Sequence, residues 1–184
     1  DILDYSKLQS ILHSFCPDYV VHLAAATGVD LNSIYDFRAN YDGVHNLIRV
    51  SKSLSSLKRI IFTSSLLVCH IGYIPISDTD YKPSTAYGES KVMGEKLVRN
   101  SSIDCCWSIV RPISIWGPWN EQPYLSFFKS VINGWYFHIG DGHYQRSLGF
   151  VHNTVRQIHS ILLSDEVDVS SKTFYLADPL PADL

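Results

Sequence analysis

The sequence of 184 residues lacks the signals that would place it on nucleic acid, in a membrane or in a secretory pathway. Its formal net charge is −3 and its Lys and Arg residues are scattered, so no basic surface is predicted for a polynucleotide or an anionic membrane. No positively charged leader with an apolar core opens it, and no apolar stretch approaches the ~20 residues that a bilayer requires. These absences favour a small-molecule partner and a cytoplasmic setting.

Metal-binding and disulfide patterns are also missing. The four cysteines contain no C-x-x-C spacing, and the adjacent Cys105 and Cys106 fall in an apolar run typical of a strand, so we interpret them as buried free thiols. The histidines in the second half, such as His152, show no His-x-x-x-His spacing and no surrounding carboxylates. We therefore expect no metal site.

What the sequence does contain is an alternation of helical and strand patterns. Apolar residues at helical spacing over 5–15, 34–54 and 87–98 are each followed by an apolar run, over 19–25, 59–64 and 106–110. Continuous apolar strands separated by amphipathic helices predict an α/β fold with a parallel sheet covered on both faces.

The second half of the chain is less regular. We predict helices over 124–132 and about 154–163, and a short strand over 173–176. Open α/β sheets bind ligands outside the carboxyl ends of their strands, so a small lobe over that edge would hold a substrate. We expect residues 1–118 to form the sheet domain and 119–184 a substrate lobe interleaved with it.

Tyr87 and Lys91 are the candidate catalytic pair. Four residues apart at the start of a predicted helix, they lie on one face, where a cation favours the phenolate of a nearby tyrosine. The spacing alone is weak, because an exposed helix often carries both residue types. It gains weight from the hydroxyl run Thr63-Ser64-Ser65, which ends a predicted strand and can converge on the same site.

In this order the motifs resemble the extended short-chain dehydrogenase/reductase family, of the NAD-dependent epimerase/dehydratase type. The resemblance implies a Rossmann-like doubly wound sheet and covers nearly the whole chain. The matching segments are Asp1-Ile2, residues 17–25, Asn40-Tyr41-Asp42-Gly43, residues 63–68, Tyr87 to Lys91, residues 111–118, and 140–153.

The resemblance also implies a role for each site residue. Ser65, with Ser64 as runner-up, holds the substrate oxygen, Tyr87 exchanges its proton, and Lys91 lowers the pKa of Tyr87 and binds the nicotinamide ribose of NAD or NADP. Substrate contacts are Ser65, Ser114 and Arg146, whose guanidinium suits a diphosphate. The implied cofactor contacts are Asp1, Ile2, Leu23, Ala24, Ala25, Asn40, Thr63, Ser64, Tyr87, Lys91, Arg111 and Pro112.

Several positions depart from the family pattern. No Gly-x-x-Gly-x-x-Gly loop is present to cradle a pyrophosphate, so we expect the sequence to be part of a longer protein, with the first strands outside it and the carboxyl terminus also cut short. Leu66 and Leu67 replace the Asp-Glu pair of sugar dehydratases, which disfavours dehydration. Ser114 stands where Asn is common, and Asn153 where Asp is common.

Three functions remain open from the sequence. The first is an NAD(P)-dependent epimerase or reductase of a nucleotide sugar, and the second is an oxidoreductase of a non-nucleotide alcohol or ketone. The third is a non-catalytic binding protein that has lost dinucleotide binding. By the resemblance we also expect a homodimer that uses the helix of Tyr87.

Overall fold

The structure, a computed structural model, describes residues 1–28, 31–120, 124–137, 145–179 and 182–183. Two 3₁₀ segments, Ile34–Asn40 and Leu66–Val68, accompany the helices and strands. In chain order the helices and strands are α1 (Tyr5–Phe15), β1 (Tyr19–His22), α2 (Asp42–Ser51), β2 (Arg59–Thr63), α3 (Ala86–Arg99), β3 (Cys106–Pro112), β4 (Ile115–Trp116), α4 (Tyr124–Ile132), β5 (Gln145–Arg146), β6 (Gly149–Phe150), α5 (Val151–Leu163), α6 (Glu166–Val169), β7 (Lys172–Leu176) and β8 (Ala182–Asp183).

A four-stranded sheet organises the described residues, in the order β1-β2-β3-β7 with all pairs parallel. The predicted α/β class with a parallel sheet is therefore confirmed. β7 comes from the second half of the chain but pairs with β3 from the first half, so the two halves share one sheet.

One predicted helix is interrupted. The pattern over 34–54 forms the 3₁₀ segment Ile34–Asn40 and then α2, because Tyr41 between them has φ −130° and ψ −49°. The side-chain oxygen of Asn40 accepts a hydrogen bond from the backbone nitrogen of Ala26 at 2.9 Å. The side-chain nitrogen of Asn40 donates a hydrogen bond to the backbone oxygen of Ala26 at 3.0 Å. At Asn40 this tertiary contact is formed in place of the continuous helix that the sequence pattern predicts.

Apolar side chains cover both faces of the sheet, as the continuous apolar strands predict. On β2, Ile60 and Phe62 pack into a core shared with α1, α2 and α3, while Ile61 faces a second core that includes residues of α5. Ile60 and Ile61 are both fully buried. The alternation along one strand therefore fixes helices to opposite sides.

Arg59, at the start of β2, joins the carboxyl end of α5 to the sheet through hydrogen bonds. Its buried guanidinium donates to the oxygen of Ile161 at 2.8 Å and to that of Ser164 at 2.8 Å. The last carbonyls of a helix lack partners within the helix and carry partial negative charge, so a cation there is stabilising. The sequence pattern identified Arg59 only as a strand residue.

Gly94 allows α3 to approach the 3₁₀ segment at backbone distance. A Cβ atom at Gly94 would lie 2.5 Å from the carbonyl oxygen of Asn40. At the beginning of α3, a Cβ at Gly88 would likewise overlap the carbonyl oxygen of Leu67. The position of α3 therefore depends on two glycines.

We expect Gly94→Ala to lower the free energy of unfolding by about 1–3 kcal/mol, the usual cost of overpacking, although alanine is the better helix former. Urea unfolding followed by circular dichroism measures the change. The matched control is Gly43→Ala in α2, where the added Cβ meets the Ile2 side chain and not backbone. Equal stability of Gly94→Ala and wild type would contradict the close approach.

Candidate active site

A cleft of about 880 Å³ opens where β2, β3 and β7 end, and the start of α3 forms one wall. Five of the predicted site residues line it, namely Ser65, Tyr87, Arg111, Pro112 and Ser114. Parallel strands bring their carboxyl ends to one edge, which is why residues far apart in sequence meet there. The described residues therefore include a cleft at the edge where the sequence predicts a site.

Ser65 and Tyr87 are in direct contact. Thr85 caps α3 by accepting from the nitrogen of Gly88 at 3.0 Å, which fixes the helical turn that carries Tyr87. Ser65 caps the 3₁₀ turn Leu66–Val68 by accepting from the nitrogen of Leu67 at 3.1 Å, and its hydroxyl lies near enough to the Tyr87 phenol to act on the pKa of that group. This contact favours Ser65 over Ser64 as the serine that acts with Tyr87.

Lys91 lies one helical turn beyond Tyr87 and is buried. Its ammonium donates to the carbonyl oxygen of Thr63 at 3.0 Å and lies 5.8 Å from the centre of the Tyr87 ring. Burial lowers the pKa of Lys91 to about 8, and the charge of Glu95 opposes that change. The four-residue spacing thus places the Lys91 ammonium near the Tyr87 ring, as expected.

The electrostatic effect on Tyr87 differs from the expected one. Burial raises the pKa of Tyr87 above its ordinary value, and the opposing contribution comes from the hydrogen bond with Ser65. The Lys91 ammonium is directed to the Thr63 carbonyl and does not offset the burial. In this arrangement the phenol is held protonated at neutral pH.

His22, at the end of β1, is a buried neighbour of Lys91 that the sequence patterns did not single out. The ring is buried, and burial together with the charge of Lys91 lowers its pKa to about 4. At neutral pH it is therefore a neutral imidazole. Its position at the carboxyl end of the strand paired with β2 is the signal that would have pointed to it.

Asn40 and Arg111 were expected to contact a cofactor, and the structure gives both side chains other partners. Asn40 bonds Ala26, and its amide nitrogen also donates to the Ser90 hydroxyl at 2.9 Å. Ser90 in turn donates to the carbonyl oxygen of Tyr87 at 2.6 Å. Asn40 therefore links the segment after β1 to the turn that carries Tyr87.

Arg111 is 1% exposed and forms a bidentate ion pair with Glu95 of α3, through its Nε and one terminal nitrogen, both at 2.8 Å. The terminal nitrogens also donate to the Tyr175 hydroxyl at 2.6 Å and to the Asp78 carbonyl. Four of the five donors that an arginine carries are thereby used within the protein. These bonds give Arg111 a positioning role in the fold, and its contact with a cofactor stays a prediction.

Two further groups of predicted cofactor residues lie at the carboxyl ends of β1 and β2. Leu23 is 61% exposed, and Ala24 and Ala25 are exposed beside it. The hydroxyl oxygens of Thr63 and Ser64 are buried and have no hydrogen-bond partner.

Asp1 and Ile2 lie apart from these residues, near α2. The Asp1 carboxylate accepts from the nitrogen of Leu3 at 2.9 Å, and the Ile2 carbonyl accepts from Asn46 at 3.1 Å. Arg146 belongs to β5, but its side chain lies outside the part of the structure that is described. Its diphosphate contact stays a prediction.

Two further results concern the described residues as a whole. They contain no cluster of three or more His, Cys, Asp or Glu side chains that could hold a metal ion. No helix in the described ranges is long and apolar enough to cross a membrane.

Comparison with known proteins gives curated relatives about twice as long as the chain. The N-acetyl-alpha-D-glucosaminyl-diphospho-ditrans,octacis-undecaprenol 4-epimerase of Escherichia coli O157:H7 is 29% identical over 86% of this chain and 49% of that protein. The decarboxylating sterol-4-alpha-carboxylate 3-dehydrogenase of Bos taurus is 26% identical over 88% of this chain and 49% of that protein. The chain therefore spans about half the length of these relatives.

Among solved structures, the Bordetella bronchiseptica enzyme WbmG in complex with NAD and UDP has a TM-score of 0.79 and 24% identity, covering 100% of this chain and 57% of that chain. This likeness establishes the fold. The family model that matches is that of the NAD dependent epimerase/dehydratase family, over residues 1–177. Because that match spans nearly the whole sequence, the chain belongs to the NAD dependent epimerase/dehydratase family.

Proposed function

We propose that this chain is the catalytic part of an NAD(P)-dependent epimerase or reductase that acts on a nucleotide-linked sugar. The observation that carries the proposal is that Ser65 and Tyr87 line one cleft, with the buried Lys91 ammonium 5.8 Å from the centre of the Tyr87 ring. A hydroxyl pair of this kind can hold a substrate oxygen and exchange a proton with it.

The residues present fit a nicotinamide cofactor. The buried, unpartnered hydroxyls of Thr63 and Ser64 and the exposed apolar segment 23–25 lie at the ends of adjacent strands, where a dinucleotide would satisfy and cover them. Lys91 would hold ribose hydroxyls from the same edge. The bound cofactor would accept and return a hydride, and the protein would orient the substrate oxygen.

Tyr87 is the proton donor in this proposal. Its raised pKa keeps the phenol protonated at neutral pH, and both Tyr87 and Ser65 line the cleft. Leu66 and Leu67 also line the cleft, and aliphatic side chains cannot protonate a leaving hydroxyl. This supports oxidation and reduction at one carbon over dehydration.

Two observations support a diphosphate-linked sugar as the substrate class, one from a relative and one from the sequence. The Escherichia coli relative carries a name that describes a diphosphate-linked sugar, and Arg146 has the guanidinium that suits such a diphosphate. We propose that residues 119–184 supply this substrate lobe, and that the complete protein is a homodimer.

A second candidate is a non-nucleotide alcohol or ketone. The apolar wall of the cleft favours it, since Leu66, Leu67 and Ile113 face the ligand space. The sterol dehydrogenase of Bos taurus is a relative with a substrate of this kind in its name.

Replacing the proposed proton donor tests the catalytic role. In the full-length gene product, Tyr87→Phe should lower hydride exchange with the nicotinamide at least about 100-fold, because the substrate oxygen loses its proton partner. Isotope transfer from a deuterated substrate measures the exchange. Tyr35→Phe, on an exposed ring outside the cleft wall, is the matched control and should retain wild-type turnover. Full turnover in Tyr87→Phe would refute the assignment.

Ligand-induced thermal stabilisation tests the substrate class. A UDP-sugar should raise the melting temperature of the full-length gene product in proportion to its binding, and Arg146→Gln should reduce that rise by removing the diphosphate partner. Arg156→Gln, at an exposed position of α5, is the control and should leave the rise unchanged. Stabilisation by a sterol alcohol, with none by the nucleotide sugar, would favour the second candidate.

A further inference from the structure

We propose that Phe37 is a positioning residue of the candidate site: its buried ring packs against the ring of Tyr87 and keeps that side chain in one conformation at the cleft. The consequence for catalysis rests on the proposed function. The effect on the conformation of Tyr87 concerns the protein alone.

The two rings meet in the wall of the cleft. Phe37 and Tyr87 both line it, and their ring centres lie 5.8 Å apart with the ring planes at 66°. Aromatic pairs favour such T-shaped arrangements at ring-centre distances of about 4.5–7 Å, because the positive edge of one ring meets the negative face of the other. Phe37 is 1% exposed and Tyr87 is half-buried, so Phe37 supports the Tyr87 ring from within the protein.

The 3₁₀ segment that precedes α2 holds Phe37 in a fixed place. At its amino end, the Asp36 carboxylate accepts from the nitrogen of Ser33 at 3.1 Å as part of a capping box. At its carboxyl end, the backbone of Asn40 rests against Gly94 of α3. The segment is therefore held at both ends, and Phe37 lies between them on the side of the catalytic helix.

Tyr87 needs a contact of this kind because α3 fixes its backbone but not its ring. The Ser90 hydroxyl donates to the Tyr87 carbonyl oxygen at 2.6 Å, and Thr85 caps the same turn. Rotation about the Cα–Cβ bond between staggered rotamers would move the phenol oxygen and disturb neither bond. The Phe37 ring opposes that rotation, since it would give up the ring contact and leave unfilled space in a buried region.

Phe37 can act on the reaction only through Tyr87. Its side chain carries no polar or ionisable group, so it can neither exchange a proton nor hold a polar group of a substrate. A displacement of a reacting group by about 1 Å can lower a rate by about 100-fold. An apolar ring that fixes the phenol can therefore affect the rate without touching the reacting atoms.

The conformation of Tyr87 in the full-length gene product without cofactor tests the proposal. Three-bond couplings from Cγ to the backbone nitrogen and carbonyl carbon report rotation about the Cα–Cβ bond in labelled tyrosine, and the Tyr87→Phe spectrum assigns the signal. Wild type should give the couplings of one staggered rotamer. Phe37→Leu, which removes the ring but keeps an apolar side chain, should lose these values and give averaged ones.

Phe174→Leu is the matched control for the loss of a ring. Phe174, on β7, packs into the core that includes residues of α5, on the other face of the sheet from α3. The same substitution there removes the same atoms from a core. It should leave the Tyr87 couplings at their wild-type values.

Hydride transfer with a nucleotide sugar tests the consequence for catalysis. In Phe37→Leu the single-turnover rate should fall about 10-fold or more, because the phenol spends less time in the reacting orientation. KM should stay within about twofold of wild type, since no polar substrate contact is removed. Phe174→Leu should retain both values, and thermal unfolding of the two variants shows whether they are equally stable.

Phe37→Met is a second variant in case leucine disturbs the fold, because its unbranched chain fills irregular gaps in cores. It should show the same averaged couplings and the same loss of rate. A single Tyr87 rotamer in a folded variant that lacks the Phe37 ring overturns the proposal. An unchanged rate of hydride transfer in such a variant overturns the consequence for catalysis.

The outcome is separable from that of the proposed function. The couplings require neither cofactor nor substrate, so a Tyr87→Phe protein that retained turnover would refute the catalytic role and leave the conformational effect of Phe37 standing. Conversely, an unchanged Tyr87 conformation in Phe37→Leu would refute the role of Phe37 and leave Tyr87 as the proton donor.

Discussion

The buried ion pair of Arg111 and Glu95 is the constraint on which the rest of the structure depends. Two charges away from water are costly unless their hydrogen-bonding groups are satisfied, so the pair requires a fixed set of partners. These come from four segments: α3 supplies Glu95, β3 supplies Arg111, β7 supplies the Tyr175 hydroxyl, and the loop before α3 supplies the Asp78 carbonyl. The pair therefore joins the sheet, the catalytic helix and one wall of the cleft.

Closer contacts then determine where α3 places its catalytic turn. Gly94 lets the helix rest on the backbone of Asn40, and Gly88 lets its first turn rest on the carbonyl of Leu67. Ser90, bonded to Asn40, holds the Tyr87 carbonyl from inside the helix. A helix held at both ends and in the middle can keep a phenol within hydrogen-bonding distance of Ser65, which belongs to a different segment.

The sequence predicted those features that depend on local pattern. Apolar periodicity was sufficient for β2, α1 and α4, and the order of strands was sufficient to expect Ser65 and Tyr87 at one edge of the sheet. It did not predict the break at Tyr41 or the partners of Arg111, because both arise from contacts between distant residues. His22 was missed for the same reason, since its environment depends on Lys91, which lies on a helix far along the chain.

Burial has opposite consequences for the two members of the catalytic pair. It favours the uncharged form of each group, which for Tyr87 is the protonated phenol and for Lys91 is the free amine. A phenol that keeps its proton can donate it to a carbonyl oxygen, whereas a lysine without its proton can no longer stabilise the phenolate that remains. The two requirements conflict within one apolar environment. Both are met at neutral pH, because a pKa of about 8 still leaves most of the Lys91 ammonium charged there.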